Sequence, residues 1–240
     1  MLAFSRSTLL RSAAVLLVAI AALAAYTVAG NNALAASPGA GRTVAHGHDR
    51  SEHEHTEHLS AQQLVFHDSM RKLWEDHITW TRLFIVSFAA GLPDTDSTAQ
   101  RLLQNQTDLG NAIKPFYGDA AGDQLTALLR DHILVAAELI DAAKAGNKPK
   151  QDDATKRWFA NADEIAAFLS GANPKNWPLA DAKKMMHDHL TLTTEEVVAQ
   201  LTKNWAGSIA SYDKVHTQIL HMADMLSSGI EAQFPNKFKA

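Results

Sequence analysis

The chain has 240 residues, of which 46% are hydrophobic, 20% are charged and none is cysteine. This apolar content suffices for the core of one domain or two small ones, and the lack of cysteine excludes disulfides, thiolate metal ligands and a thiol nucleophile. Lys and Arg number 22 and Asp and Glu 26, and the resulting net charge of −4 argues against nucleic acid as a partner.

Residues 1–35 are typical of an export signal. Arg6 and Arg11 precede an apolar run over residues 13–25, and small residues just before Ala36 offer a cleavage site. We therefore expect an exported protein, either secreted or associated with the cell envelope. The alternative is an uncleaved anchor, because the apolar run approaches the length of a short membrane span when the small residues after it are included. A membrane is expected as a partner only in that case.

Residues 36–59 are rich in Gly, Ser, His and Glu, which predicts a flexible linker. Five histidines fall within 13 residues of this linker: His46, His48, His53, His55 and His58. Neutral imidazoles on a flexible segment can bind zinc, copper or nickel without a preformed site. The alternative is a solvated linker that responds to pH.

Six amphipathic helices are predicted after the linker, and no segment alternates as a strand does. Ser-x-x-Gln sequences at Ser60 and Ser97 are capping boxes, which predict the starts of the first two helices. The predicted helices span residues 60–90, 97–117, 122–145, 153–170, 179–204 and 207–233. The fifth could be bent or split at Thr193, where another capping sequence begins. The sequence therefore predicts an all-α, up-and-down bundle over residues 60–238.

An Asp-His pair recurs at nearly constant spacing along these helices. His77, His132 and His189 are 55 and 57 residues apart. Each histidine follows an aspartate: Asp76, Asp131 and Asp188. An amide residue lies 28 or 29 residues beyond each histidine: Asn105, Asn161 and Gln218. We interpret the pattern as three repeated helical hairpins.

A further polar side chain follows each amide by one turn: Asp108, Glu164 and His221. Arms of similar length on the two sides of each turn place these side chains and the histidines near one level of the bundle. Because a buried polar group without a partner costs about 1–3 kcal/mol, one interpretation is a structural layer in which the amides and aspartates satisfy the histidines. The other is a metal or ligand site formed by His77, His132, His189, Asp108, Glu164 and His221.

These patterns favour a binding or structural protein with a divalent metal as the expected ligand class. A metal-dependent hydrolase or oxidoreductase is the first alternative, although the Glu-x-x-His signature of di-iron bundles is missing. A protein-interaction module with a purely structural layer is the second. No nucleotide or flavin is expected, since the sequence has no glycine-rich phosphate loop. Arg82 precedes an apolar run, and we expect it to pair with a carboxylate on a neighbouring helix.

Five segments of the helical region are distinctive: LWEDHITWTRLFIVS, RLLQNQTDLGNAIKPFYG, RWFANADEIAAFL, DHLTLT and HMADMLSSGIEAQFP. They resemble a family of uncharacterised bacterial helical-bundle proteins, some of which carry automatic labels such as acetylglutamate kinase or glycosyltransferase. The resemblance covers about residues 63–238 and implies a shared helical domain. It supplies no established active site, so it assigns no functional residue. Members of the family begin close to the first helix, whereas this chain adds the signal segment and the His-rich linker.

Overall fold

The computed structural model describes residues 59–239, so the predicted export segment and all of the predicted linker except Leu59 lie outside the described residues. Within residues 59–239 there are six α-helices, a 3₁₀ turn at Pro235–Phe238 and no strand. The helices are α1 Ala61–Ala90, α2 Thr95–Tyr117, α3 Asp119–Lys144, α4 Lys148–Ala172, α5 Leu179–Leu201 and α6 Trp205–Gln233. The predicted all-α fold is therefore confirmed. None of these described helices has the length and apolar character that crossing a membrane requires.

Local capping explains where the helices begin. The Ser60 side chain accepts the N–H of Gln63, and the Gln63 side chain accepts the N–H of Ser60, as the capping box predicts. The same sequence pattern at Ser97 is not a cap, because α2 has already begun at Thr95. Helix α4 begins earlier than predicted, since the Asn147 side chain accepts an N–H of its first turn and a proline there needs no donor.

Helix α5 runs through Thr193 without a break, so the helix is continuous as predicted and the alternative of a split at Thr193 is not observed. Tertiary contact explains the continuity. Glu196 is 2% exposed and lies 2.6 Å from a guanidinium nitrogen of Arg82 on α1, which confirms the predicted partner type for that arginine. The same nitrogen donates to the carbonyl and hydroxyl oxygens of Ser208, both at 3.3 Å. Arg82 thereby joins α1, α5 and α6.

The six helices form a closed ring around two groups of buried apolar side chains. Each helix packs against the helices before and after it in the chain, and α1 packs against α6. Short connections make successive helices antiparallel. On α1, Met70 and Trp74 belong to the larger apolar group, whereas Phe84 and Ile85 belong to the smaller one. The level of His77 therefore lies between the two groups.

Candidate functional site

Three histidines from alternate helices lie together inside the bundle. His77 on α1, His132 on α3 and His189 on α5 are 3%, 3% and 5% exposed. The ring centroids of His77 and His189 are 5.8 Å apart, and His132 is close enough to interact electrostatically with both. The structure thus places all three predicted histidines in one interior group.

Side-chain amides on the following helices hold two of these rings in a defined tautomer. The side-chain oxygen of Asn161 lies 2.8 Å from Nδ1 of His132. The side-chain oxygen of Gln218 lies 3.0 Å from Nδ1 of His189. Each amide nitrogen donates to a backbone carbonyl one turn before the histidine, at 3.1 Å and 3.2 Å respectively. The amide oxygen is therefore the acceptor, Nδ1 of the neutral ring carries the hydrogen, and Nε2 is left as an acceptor.

His77 is held by a different amide. Asn105 is fully buried and donates to the carbonyl of Leu73 at 3.0 Å, as the amides of α4 and α6 do in their hairpins. The nitrogen 3.3 Å from Nδ1 of His77, however, is Nε2 of Gln106. Because an amide nitrogen only donates, Nδ1 of His77 is the acceptor in this contact and its hydrogen lies on Nε2. Sequence spacing did not identify Gln106, which carries no periodic signal of its own.

Burial keeps these histidines neutral at neutral pH. Loss of hydration lowers the pKa of His132 and His189 to about 4, and the hydrogen bonds with Asn161 and Gln218 only partly oppose it. The pKa of His77 is lowered well below its ordinary value by the same burial and by repulsion from His189 and His132.

The predicted six-residue layer is corrected by the structure, because three of its members do not face the interior. Glu164 and His221 are exposed, and Asp108 is partly exposed beside Gln104 and Arg101. Each of these three residues lies three positions beyond an amide residue that faces inward. A separation of three residues turns the side chain by about 60° around the helix axis, toward the surface, where the polar group stays hydrated. Within residues 59–239 no group of three or more His, Asp or Glu side chains is arranged to hold a metal.

The aspartates of the Asp-His pairs also lie outside the interior layer. Asp76 is 2.6 Å from the ammonium of Lys72 and Asp188 is 2.5 Å from that of Lys184, both one turn earlier on the same helix, and Asp131 is exposed. A residue adjacent to an inward histidine points about 100° away from it. The aspartates are therefore surface residues, and the imidazoles are satisfied by amides instead. The five linker histidines lie outside the described residues.

A cavity lies against the three histidines, on the side of the smaller apolar group. It leaves about 50 Å³ for the centres of water-sized molecules. That is roughly three to five times the space that one buried water needs. Besides the histidines, its lining includes Trp158 of α4 and Thr193 of α5, and most of the remaining side chains are apolar.

Nε1 of Trp158 and Oγ1 of Thr193, two residues of this lining, are buried and have no hydrogen-bond partner among residues 59–239. Such groups cost about 1–3 kcal/mol each and call for an explanation, such as a bound molecule that completes their hydrogen bonds. Sequence analysis missed both as site residues. Trp158 lies three residues before Asn161 and Thr193 four residues after His189, and this helical spacing could have identified them.

No family model matches the chain, and no curated protein or solved structure matches it either. The function is therefore argued from the chemistry of the site.

Proposed function

We propose that this chain is a binding protein whose helical bundle holds a small molecule in the cavity beside the interior histidines. One observation carries the proposal: three buried, neutral imidazoles border a cavity whose other walls are mainly apolar. Helical bundles commonly build ligand sites between facing helices. An apolar cavity with a few convergent polar groups and strongly shifted pKa values is typical of a binding site.

The size of the cavity limits the ligand. Space for three to five waters corresponds to roughly 90–150 Å³ of liquid, which is comparable to cavities that take up benzene. The proposed ligand therefore has about as many heavy atoms as a single aromatic ring. Haem, nucleotides and flavins are far larger.

The state of the polar groups favours binding over a purely structural layer. A structural layer stabilises a fold best when every buried donor and acceptor is paired, because a half-satisfied network is worse than an apolar core. Trp158 and Thr193 belong to the cavity lining, and each has a buried polar atom without a partner among residues 59–239. A ligand that pairs with them supplies the missing partners.

A variant that fills the cavity tests the proposal. Ala136 lines the cavity, so Ala136→Leu is expected to abolish saturable binding, whereas Ala127→Leu on the exposed face of the same helix is the matched control. Benzene, toluene and phenol are probes of suitable size, and binding is measured by calorimetric titration and by the rise in melting temperature. The proposal fails if none of the probes binds the unaltered protein, or if both variants bind them equally well.

Capture of zinc, copper or nickel is a second candidate function, supported by the five histidines within residues 46–58. Elemental analysis compares the full chain with a variant in which these five histidines are replaced by serine. Stoichiometric metal in the full chain alone supports capture by the linker, and metal in neither removes this candidate.

Export remains a proposal supported by residues 1–35, and N-terminal sequencing of protein recovered outside the cytoplasm tests it. The recurring contact between a histidine and an amide supports the proposal that three hairpins arose by duplication.

A further inference from the structure

The cavity lining carries both hydrogen-bond donors and acceptors, and His77 is one of the donors because its ring hydrogen lies on Nε2. Trp158 of the lining has an indole N–H, which can only donate, and Thr193 has a hydroxyl group; both polar atoms are buried and have no partner among residues 59–239. His132 and His189 present Nε2 atoms, which accept because Nδ1 of each ring is the protonated nitrogen. Within the described part of the chain, neither Nε2 makes a hydrogen bond. These four residues lie on the three consecutive helices α3, α4 and α5, and His77 lies on α1.

This combination discriminates between charged and neutral ligands. An anion would face the lone pairs of His132 and His189, and a cation would face the indole N–H of Trp158. Either charge would also lose its hydration in a mainly apolar cavity, which is costly without an opposite charge. A neutral group that both donates and accepts meets neither obstacle.

We propose that the cavity takes a small neutral molecule with a hydroxyl group, which donates its hydrogen to Nε2 of His132 or His189 and accepts from Trp158 and Thr193. The rest of the molecule contacts the apolar walls. This inference rests on the binding function proposed above and names the chemical class of the ligand. Phenol is a suitable probe, since it combines one hydroxyl group with an apolar ring of the right size.

A matched pair of probes tests the ligand class. Toluene has nearly the shape of phenol but carries a methyl group in place of the hydroxyl. Because phenol is the better hydrated of the two, an apolar cavity favours toluene, and tighter binding of phenol requires hydrogen-bonding groups in the cavity. We expect the unaltered protein to bind phenol more tightly than toluene.

Two conservative variants remove the proposed donors. Trp158→Phe deletes the indole N–H and Thr193→Val replaces the hydroxyl by a methyl group. Each is expected to lower the preference for phenol by about two- to tenfold, the value of one hydrogen bond. Trp74→Phe is the control, because Nε1 of Trp74 is likewise buried without a partner within the described residues but Trp74 does not line this cavity. The ratio of the two dissociation constants is measured, so a general loss of stability in a variant cancels.

The outcomes separate the ligand class from the binding function. A preference for phenol that falls in Trp158→Phe and Thr193→Val but not in Trp74→Phe supports the inference. If toluene binds at least as tightly as phenol, or if all three variants keep the same ratio, the hydroxyl class is overturned while the cavity stands as a binding site. If neither probe binds, the cavity serves only water and both proposals fall.

Discussion

Acid is expected to destabilise this protein through its interior histidines. Folding lowers the pKa of His132 and His189 from 6.5 to about 4, because burial penalises the charged ring. Above pH 6.5 the rings are neutral in both the folded and the unfolded chain. As the pH falls from 6.5 toward 4, the unfolded chain takes up protons that the folded protein does not bind, so the free energy of unfolding decreases over that interval.

The size of this effect follows from the two pKa values. A change of one pKa unit corresponds to about 1.4 kcal/mol, so each histidine removes about 3 kcal/mol of stability by the time the pH reaches 4. The two together remove about 6–7 kcal/mol, and His77 contributes in the same direction. Since a domain is typically stable by about 5–15 kcal/mol, these rings alone can account for most of an acid unfolding transition.

Urea unfolding at a series of pH values between about 8 and about 4.5 measures this dependence. Near pH 5 each histidine contributes a slope of about 1.2 kcal/mol per pH unit, because the unfolded chain then binds nearly one proton more at that ring. His132→Gln is expected to reduce the slope by this amount, and His221→Gln, at an exposed position, is the control substitution. Equal slopes in the unaltered protein and in His132→Gln would refute the assignment of acid sensitivity to the interior rings.

Two further predictions concern stability. Arg82→Met leaves the carboxylate of Glu196 buried without its partner and is expected to cost about 3–5 kcal/mol. Adding Glu196→Met should restore most of that loss, and an additive double-mutant cycle would contradict the pairing. Gly229→Ala is expected to cost about 1–3 kcal/mol, because a Cβ there would lie 2.2 Å from the indole nitrogen of Trp177. Gly171→Ala is the control, because a Cβ at Gly171 would meet open space, and it should change stability by no more than about 1 kcal/mol. Equal effects at the two glycines would count against the close approach of Trp177 to Gly229.

The helical fold was predictable because its signals are local and mutually consistent. Amphipathic periodicity and the Ser60 capping box are properties of short segments, and tertiary packing did not override them. The capping sequences at Ser97 and Thr193 have the same local form but lie inside helices. At Thr193 the reason is visible: the following glutamate, Glu196, is buried against Arg82 and the helix continues through it. Capping patterns predict a helix start only where the chain is free to change direction.

The interior site was only partly predictable, because the sequence does not determine in which direction around the helix axis every polar side chain points. Spacing of 55 and 57 residues places the three histidines at similar positions on parallel helices, and burial of their neighbours turns them inward. Asp108 is a single turn from the fully buried Asn105, but the difference of about 60° around the helix axis moves it to the surface. Whether such a shoulder position is buried depends on how closely the adjacent helices approach, and sequence periodicity does not determine that distance.

The cavity was not predictable from spacing at all, and its polar groups bear on why the layer exists. If the histidines served only to fix helix register, the paired amides at Asn161 and Gln218 would complete the task. Replacing Thr193 by valine, which has nearly the same shape, would then relieve one unsatisfied buried group at little cost in volume. A chain that keeps the polar groups of Trp158 and Thr193 beside two imidazole acceptors retains a costly arrangement in the ligand-free protein. That cost is understandable when the four groups together bind a molecule, and it has no compensation when they merely fill the core.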